Sequence, residues 1–414
     1  MVEILQITAR SSGWTVVAAS TIGMSTGPSQ YAFGSLALFI GPLSAEFGWD
    51  RTEISLASTV FTITLLFSLP VAGCIVDVIG SKRLLIPSML LVALLLASIP
   101  MFVSEPWHLW LIFGLIGSLG AGANALPYMR TVAALFNRQR GLAIGLTLAG
   151  AGLGYTYVPP LLRHVIDTYD WRSAYFILAA IIVFVALPVV GLFFREATDE
   201  PSSQNDSSTE RKPGSLVNFD RNQALRSPIF WNLFAIFGLL SFSLYGFMIH
   251  SVSLLQDRGM SANEAALGAS TIGITIVIAR VIIGYLCDRI FAPRVAVVTF
   301  ALSTIGLAIF ASGAIDTSAF FALVLIGFSI GAEIDMMTYL TTRYFGIRHF
   351  GEIYGILFAS LLIGTSLGPL LFGWSYDTDG SYVRILWIAA VSTGIATLLC
   401  FLLPQYSTVN GDTE

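Results

Sequence analysis

Arg280 lies in a stretch, residues 270–287, that is otherwise almost wholly apolar. A guanidinium keeps its proton, so at membrane depth it needs a cavity, a partner or an anion. A fixed cation in such a setting suits the carboxylate of a small solute; the competing role is a structural salt bridge. Two acids, Glu333 and Asp335, stand in Gly331-Ala-Glu-Ile-Asp335. Positions two apart on a helix point about 200° apart, so only one can face a common cavity well. Either could take up a proton in a low-dielectric interior and so couple transport to protons; pairing and gating are the alternative roles. His250 is a third candidate for proton coupling and a candidate pocket residue, because its side chain titrates near neutrality. Arg130 could give a second anion contact, pair with the acids or snorkel to headgroups. Tyr31, Asn124, Tyr128 and Tyr339 are candidate lining residues, able to donate hydrogen bonds to a carboxylate or simply to pack.

The elements that must hold these groups follow from composition. Of 414 residues, 55% are hydrophobic and 11% charged, against roughly a quarter charged in a soluble domain. The chain is therefore an integral membrane protein. About 20 apolar residues cross a bilayer, and segments of that kind fall near 14–46, 52–78, 84–103, 107–137, 141–167, 172–194, 228–256, 262–289, 294–313, 317–344, 351–376 and 383–403. Arg51, Arg163, Arg172, Arg258 and Arg384 fall on one side, Arg130 and Arg280 within the membrane, and the other basic residues on the opposite side. By the positive-inside rule both termini are cytoplasmic, in a multi-pass protein of the plasma or inner membrane. The first segment is too long for a signal peptide and lacks a cleavage site. Cys74, Cys287 and Cys400 lie in or at the edge of helices and are expected to pack as thiols. No His/Cys cluster has metal spacing and no phosphate-binding Gly-rich loop is present, so no metal or cofactor is expected. A net charge of −4 gives no sign of nucleic acid as a partner.

Residues 196–227, rich in Ser, Asp and Glu, are too polar to fold alone and divide six segments from six. The organisation expected is 1–195, a linker over 196–227, and 228–414. The halves repeat each other. Gly73-x-x-x-Asp77-x-x-Gly80-x-Lys82-Arg83 recurs in weaker form as Gly284-x-x-x-Asp288 through Arg294, and Gly122 to Phe136 recurs as Gly331 to Phe345.

The Gly73–Arg83 pattern resembles the signature loop of the major facilitator superfamily. That resemblance implies an all-α membrane fold of twelve transmembrane helices in two pseudo-symmetric six-helix bundles, with the substrate cavity between them. It also implies that Asp77, Arg83 and Asp288 gate the seam, the glycine permitting close helix contact. Residues 135–154 resemble the helix 4–5 signature of the monocarboxylate transporter branch, with Leu135, Gln139 and Thr147 departing from it. Tyr31-Ala-Phe-Gly34 followed by Glu46-Phe-Gly-Trp49-Asp-Arg51 is similar to the helix 1 exit of bacterial members and oxalate–formate exchangers. Arg280 matches the helix 8 arginine that holds the carboxylate in both groups. The helix 1 lysine, the helix 11 lysine of oxalate–formate exchangers and the acid four residues before the helix 8 arginine (Ile276 here) are missing. A doubly basic oxalate site is thereby disfavoured. The expectation is a monomeric secondary transporter, not an enzyme, carrying a small monocarboxylate by symport with a proton. An anion exchanger, and behind it a drug/proton exporter, are the alternatives.

Overall fold

The computed structural model describes residues 2–136, 140–195, 219–287, 289–346 and 349–405, and among these every regular element is a helix. The first span is α1 (Val2–Ser25) and α2 (Leu36–Phe47), joined through a π-helical turn at Ser29–Gly34. Next come α3 (Arg51–Ile79) and α4 (Ser81–Phe102). The fourth span is α5 (Pro106–Leu119) and α6 (Ala125–Leu135), broken by a 3-10 turn at Gly120–Ala123. After α7 (Arg140–Thr168), the sixth span is α8 (Trp171–Ile181) and α9 (Leu187–Phe193), joined through a π segment. The short α10 (Arg221–Arg226) leads into α11 (Pro228–Asp257), α12 (Ala262–Cys287) and α13 (Ala292–Ala311). The chain closes with α14 (Asp316–Phe345), α15 (Phe350–Asp379) and α16 (Val383–Phe401).

Eleven of these spans are long and apolar enough to cross a bilayer unaided; the first, interrupted by its π turn, makes twelve. Their outward faces carry side chains such as Phe67, Val78, Phe184 and Leu398, all well exposed on the protein and suited to lipid. Local chemistry sets the ends. Asp50 and Glu53 form a capping box at the start of α3, and Asp170 accepts the Ser173 N–H at 2.6 Å to start α8. Gly80, the second glycine of the repeated loop, ends α3 at φ +89°, a conformation that favours glycine.

The first six spans meet the last six unevenly. α3 packs along α15, α7 along α12, and α2 along α11. At the α7–α12 crossing a Cβ on Gly273 would stand 2.5 Å from the Thr156 nitrogen and 2.6 Å from the Tyr155 carbonyl carbon, so glycine there lets the backbones touch. Every hydrogen bond crossing between the halves, among the described residues, comes from Arg51–Thr59 of α3. The Arg51 end is therefore sealed. Toward the other end Gly73, Gly145, Gly284 and Gly355 have open space where a Cβ would sit. The close helix contact expected at Gly73 and Gly284 is accordingly not made in this state.

Candidate substrate-binding site

Arg280 lies seven residues before the end of α12, about 10 Å into the membrane at 1.5 Å per residue. Its side chain is only 14% exposed, and its Nη1 stands 3.5 Å from Asp335 Oδ1 on α14. A well-made guanidinium–carboxylate bond is about 2.7–2.9 Å, so this pair is loose. The buried Arg280 Nε has no hydrogen-bond partner among the described residues. One face of a planar, forked donor is thus uncommitted, in a position where an unpaired donor is costly.

Three tyrosines surround that charge. Tyr155 of α7, Tyr245 of α11 and Tyr354 of α15 lie within electrostatic reach of Arg280, and all three are partly exposed inside the bundle. The first span positions Tyr155: a Cβ on Gly34 would overlap its ring, and its hydroxyl donates to the Ser29 carbonyl at 3.3 Å. Phe33, in the same π turn, meets Phe61 and, across the halves, Tyr245, each with ring centres 6.1 Å apart. The outcome is an aromatic wall contributed by both halves, with one cation and one acid at its inner edge.

The two acids divide as their 200° separation requires. Asp335 is 29% exposed and turns to Arg280, whereas Glu333 is fully buried. Ser241 of α11 donates to Glu333 Oε1 at 2.5 Å, while Oε2 has no partner among the described residues.

The remaining sequence candidates are dispersed. Tyr31 is fully buried behind the wall, its hydroxyl 2.7 Å from that of Tyr157. Asn124 sits at the break in span four, where its Oδ1 accepts from Ser29 Oγ at 3.2 Å and its Nδ2 is buried without a partner. Tyr128 packs inside the first half, against Met89 Sδ at 3.7 Å and edge-on to Phe194. Arg130 donates to the Val76 carbonyl at 2.6 Å, joining α6 to the end of α3. Tyr339 accepts from Arg343, one turn along α14, at 2.8 Å. Arg83 is exposed in the first turn of α4. Asp288 lies outside the described residues, as does the side chain of Asp77.

His250 occupies the seal. It is fully buried, with Nδ1 2.8 Å from the Tyr382 hydroxyl and Nε2 2.9 Å from the Pro369 carbonyl and 3.0 Å from Ser55 Oγ. Around it Arg51 makes a bidentate pair with Asp257 at 2.7 and 2.9 Å, donates to the Tyr382 hydroxyl at 2.7 Å and lies over the Tyr376 ring. Asp377 of α15 accepts the backbone N–H groups of Arg51 and Thr52 at 3.1 and 2.7 Å, and bonds the Thr52 hydroxyl. One half thus caps a helix of the other.

Sequence reasoning missed Tyr155, Tyr354 and this latch. Tyr155 directly follows the Gly150–Gly154 run, where small residues announce a close crossing, and that was the available signal. Nothing in the sequence links Arg51 to acids more than 200 positions away.

Comparisons with known proteins give the family. The profile of the Major Facilitator Superfamily matches residues 22–346 and 240–413. The chain is 24% identical over 404 residues to monocarboxylate transporter 13 of Rattus norvegicus, covering 95% of this chain and 89% of that one. It is 25% identical over 377 residues to the oxalate:formate antiporter of Oxalobacter formigenes, covering 90% and 87%. It is also 24% identical over 346 residues to the uncharacterised transporter YhjX of Escherichia coli, covering 81% and 83%. These relatives are transporters rather than enzymes. With twelve spans in two packed halves and a match across nearly its whole length, the chain belongs to the Major Facilitator Superfamily and is a membrane transporter.

Proposed function

We propose that this transporter carries small monocarboxylates by symport with a proton, through alternating access, with Arg280 holding the carboxylate. The observation that carries this reading is the uncommitted guanidinium. Among the described residues Arg280 Nε is buried without a partner, and the guanidinium stands 3.5 Å from its neighbouring acid with three tyrosines nearby. A substrate carboxylate would take the fork in two parallel bonds and displace Asp335. An aspartate left without its cation in a low-dielectric interior takes a proton, and that exchange couples the two fluxes. Tyr155, Tyr245 and Tyr354, each partly exposed, orient the bound group, and the buried Phe33, packed on Phe61, backs Tyr245. The described groups given near Arg280 are one acid, Asp335, and three tyrosines, a set that suits one negative charge rather than two.

In the cell membrane, with both termini cytoplasmic, the sealed Arg51 end faces outward and the cavity opens to the cytoplasm. The likeness to an oxalate:formate antiporter favours one second reading, obligatory exchange of carboxylates. Purified protein in liposomes separates the two. Symport gives uptake of labelled lactate, pyruvate or formate driven by an acid-outside pH gradient into vesicles empty of substrate. Exchange gives uptake only into vesicles preloaded with a carboxylate. Uptake of neither kind for any of these acids, or unaltered uptake by Arg280→Ala, overturns the Arg280 assignment.

A further inference from the structure

We propose that His250 is the proton-sensing residue of the outer gate, holding the seal shut when neutral and releasing it when protonated. The inference rests on the symport reading above and adds to it where external protons act.

Hydrogen-bond accounting carries the proposal. The Pro369 carbonyl can only accept, so His250 Nε2, 2.9 Å away, must carry the hydrogen. In the neutral ring Nδ1 is then an acceptor, and it faces the Tyr382 hydroxyl at 2.8 Å. Tyr382 therefore donates to His250 while its oxygen accepts from Arg51 Nη1 at 2.7 Å. A one-way chain results, from guanidinium to phenol to imidazole to carbonyl, with Ser55 Oγ, 3.0 Å from the same Nε2, as a second oxygen facing its hydrogen. It joins α3 of the first half to α16, α11 and α15 of the second.

A second proton on the ring breaks this order. Nδ1–H would press a second cationic donor onto the phenol oxygen that already accepts from Arg51, and the phenol hydrogen would lose its acceptor. A second positive charge would also stand in the same buried network as Arg51. Among the described residues the charged groups whose fields reach the ring are Arg51 on α3 and Asp377 on α15. Asp377 cannot absorb the change freely, because it is committed to the Arg51 and Thr52 N–H groups. Ser55 of α3 and Tyr382 of α16 are the uncharged groups that face it, and Phe372 of α15 stacks on it. Protonation thus weakens the seam contacts that hold the outer ends together, and an acid exterior favours the outward-open state. His250 acts through the gate and does not touch the substrate, so it is a positioning residue, distinct from Asp335 at the cargo site.

The test reads conformation and uses no substrate, so its failure leaves the Arg280 assignment standing. Spin labels are placed on Tyr169→Cys and Ile315→Cys, exposed outer ends of the two halves, with Cys74, Cys287 and Cys400 replaced by serine. In liposomes, pulsed dipolar spectroscopy should show the longer, outward-open distance component growing about tenfold between pH 8 and pH 5, the scale of one lost charge-assisted hydrogen bond. His250→Gln should abolish that growth. Tyr382→Phe, which removes the shared hydroxyl and leaves the imidazole in place, should flatten it as well. A pH-independent wild type, or either variant keeping the full pH response, overturns the proposal.

Discussion

The seam at Arg51 and the centre at Arg280 both place an arginine near acids, yet they are built in opposite ways. Arg51 is firmly committed: two bonds to Asp257, one to Tyr382 and a ring beneath it. Arg280 has one acid at 3.5 Å and a buried nitrogen without a hydrogen-bond partner among the described residues. A satisfied charge network fixes one arrangement, while an unsatisfied one is poised to accept something else. The contrast teaches that inside this bundle a completed charge network holds one state shut, whereas an incomplete one leaves room for a ligand.

The largest expected effect follows at the centre. Arg280→Ala should lower carboxylate uptake at least about a hundredfold, as loss of a bidentate charged contact implies, with no loss of insertion or melting temperature in detergent. A drop in melting temperature would instead place Arg280 among the structural ion pairs. Next in size is the seam. Arg51→Ala or Asp377→Ala should move the resting population toward the outward-open state about tenfold or more, read by the same spin-label distances. An unchanged distance distribution would show that the latch is ornamental. Asp335→Asn should leave exchange of carboxylate across the membrane intact while removing the pH-gradient dependence of net uptake. Retained coupling would assign the transported proton elsewhere. Ser241→Ala, which strips Glu333 of its one bond among the described residues, should cost about 1 kcal/mol of stability and leave affinity unchanged. The smallest effect belongs to Arg163→Ala, whose pair with Asp167 is one turn along the same helix. About 0.3–0.5 kcal/mol is expected there, near the limit of a melting measurement.

Much of the fold was legible because lipid imposes it. Spans of about 20 apolar residues and the recurrence of Gly73–Arg83 near Gly284 require no three-dimensional information. The division between Glu333 and Asp335 was legible too, since helical geometry alone separates their faces. The partners were harder to read. His250 drew attention as a titratable group, but only the fold shows it held between Tyr382 and Pro369 at the seal. Tyr31 and Tyr155 are both tyrosines near glycines; which one stands beside Arg280 depends on the π turn that buries Tyr31 and on the space left by Gly34. The Arg51 latch joins residues from four helices, and contacts between distant segments leave no periodic trace in sequence.

The central claim is that Arg280 recognises a carboxylate through its forked geometry and not through charge alone. Equilibrium binding of lactate or pyruvate to purified protein, by calorimetry, tests it on the wild type and on Arg280→Lys. Binding by the wild type with affinity lost in the lysine variant, at equal melting temperature, is the predicted result. Equal affinity in the two proteins would contradict it.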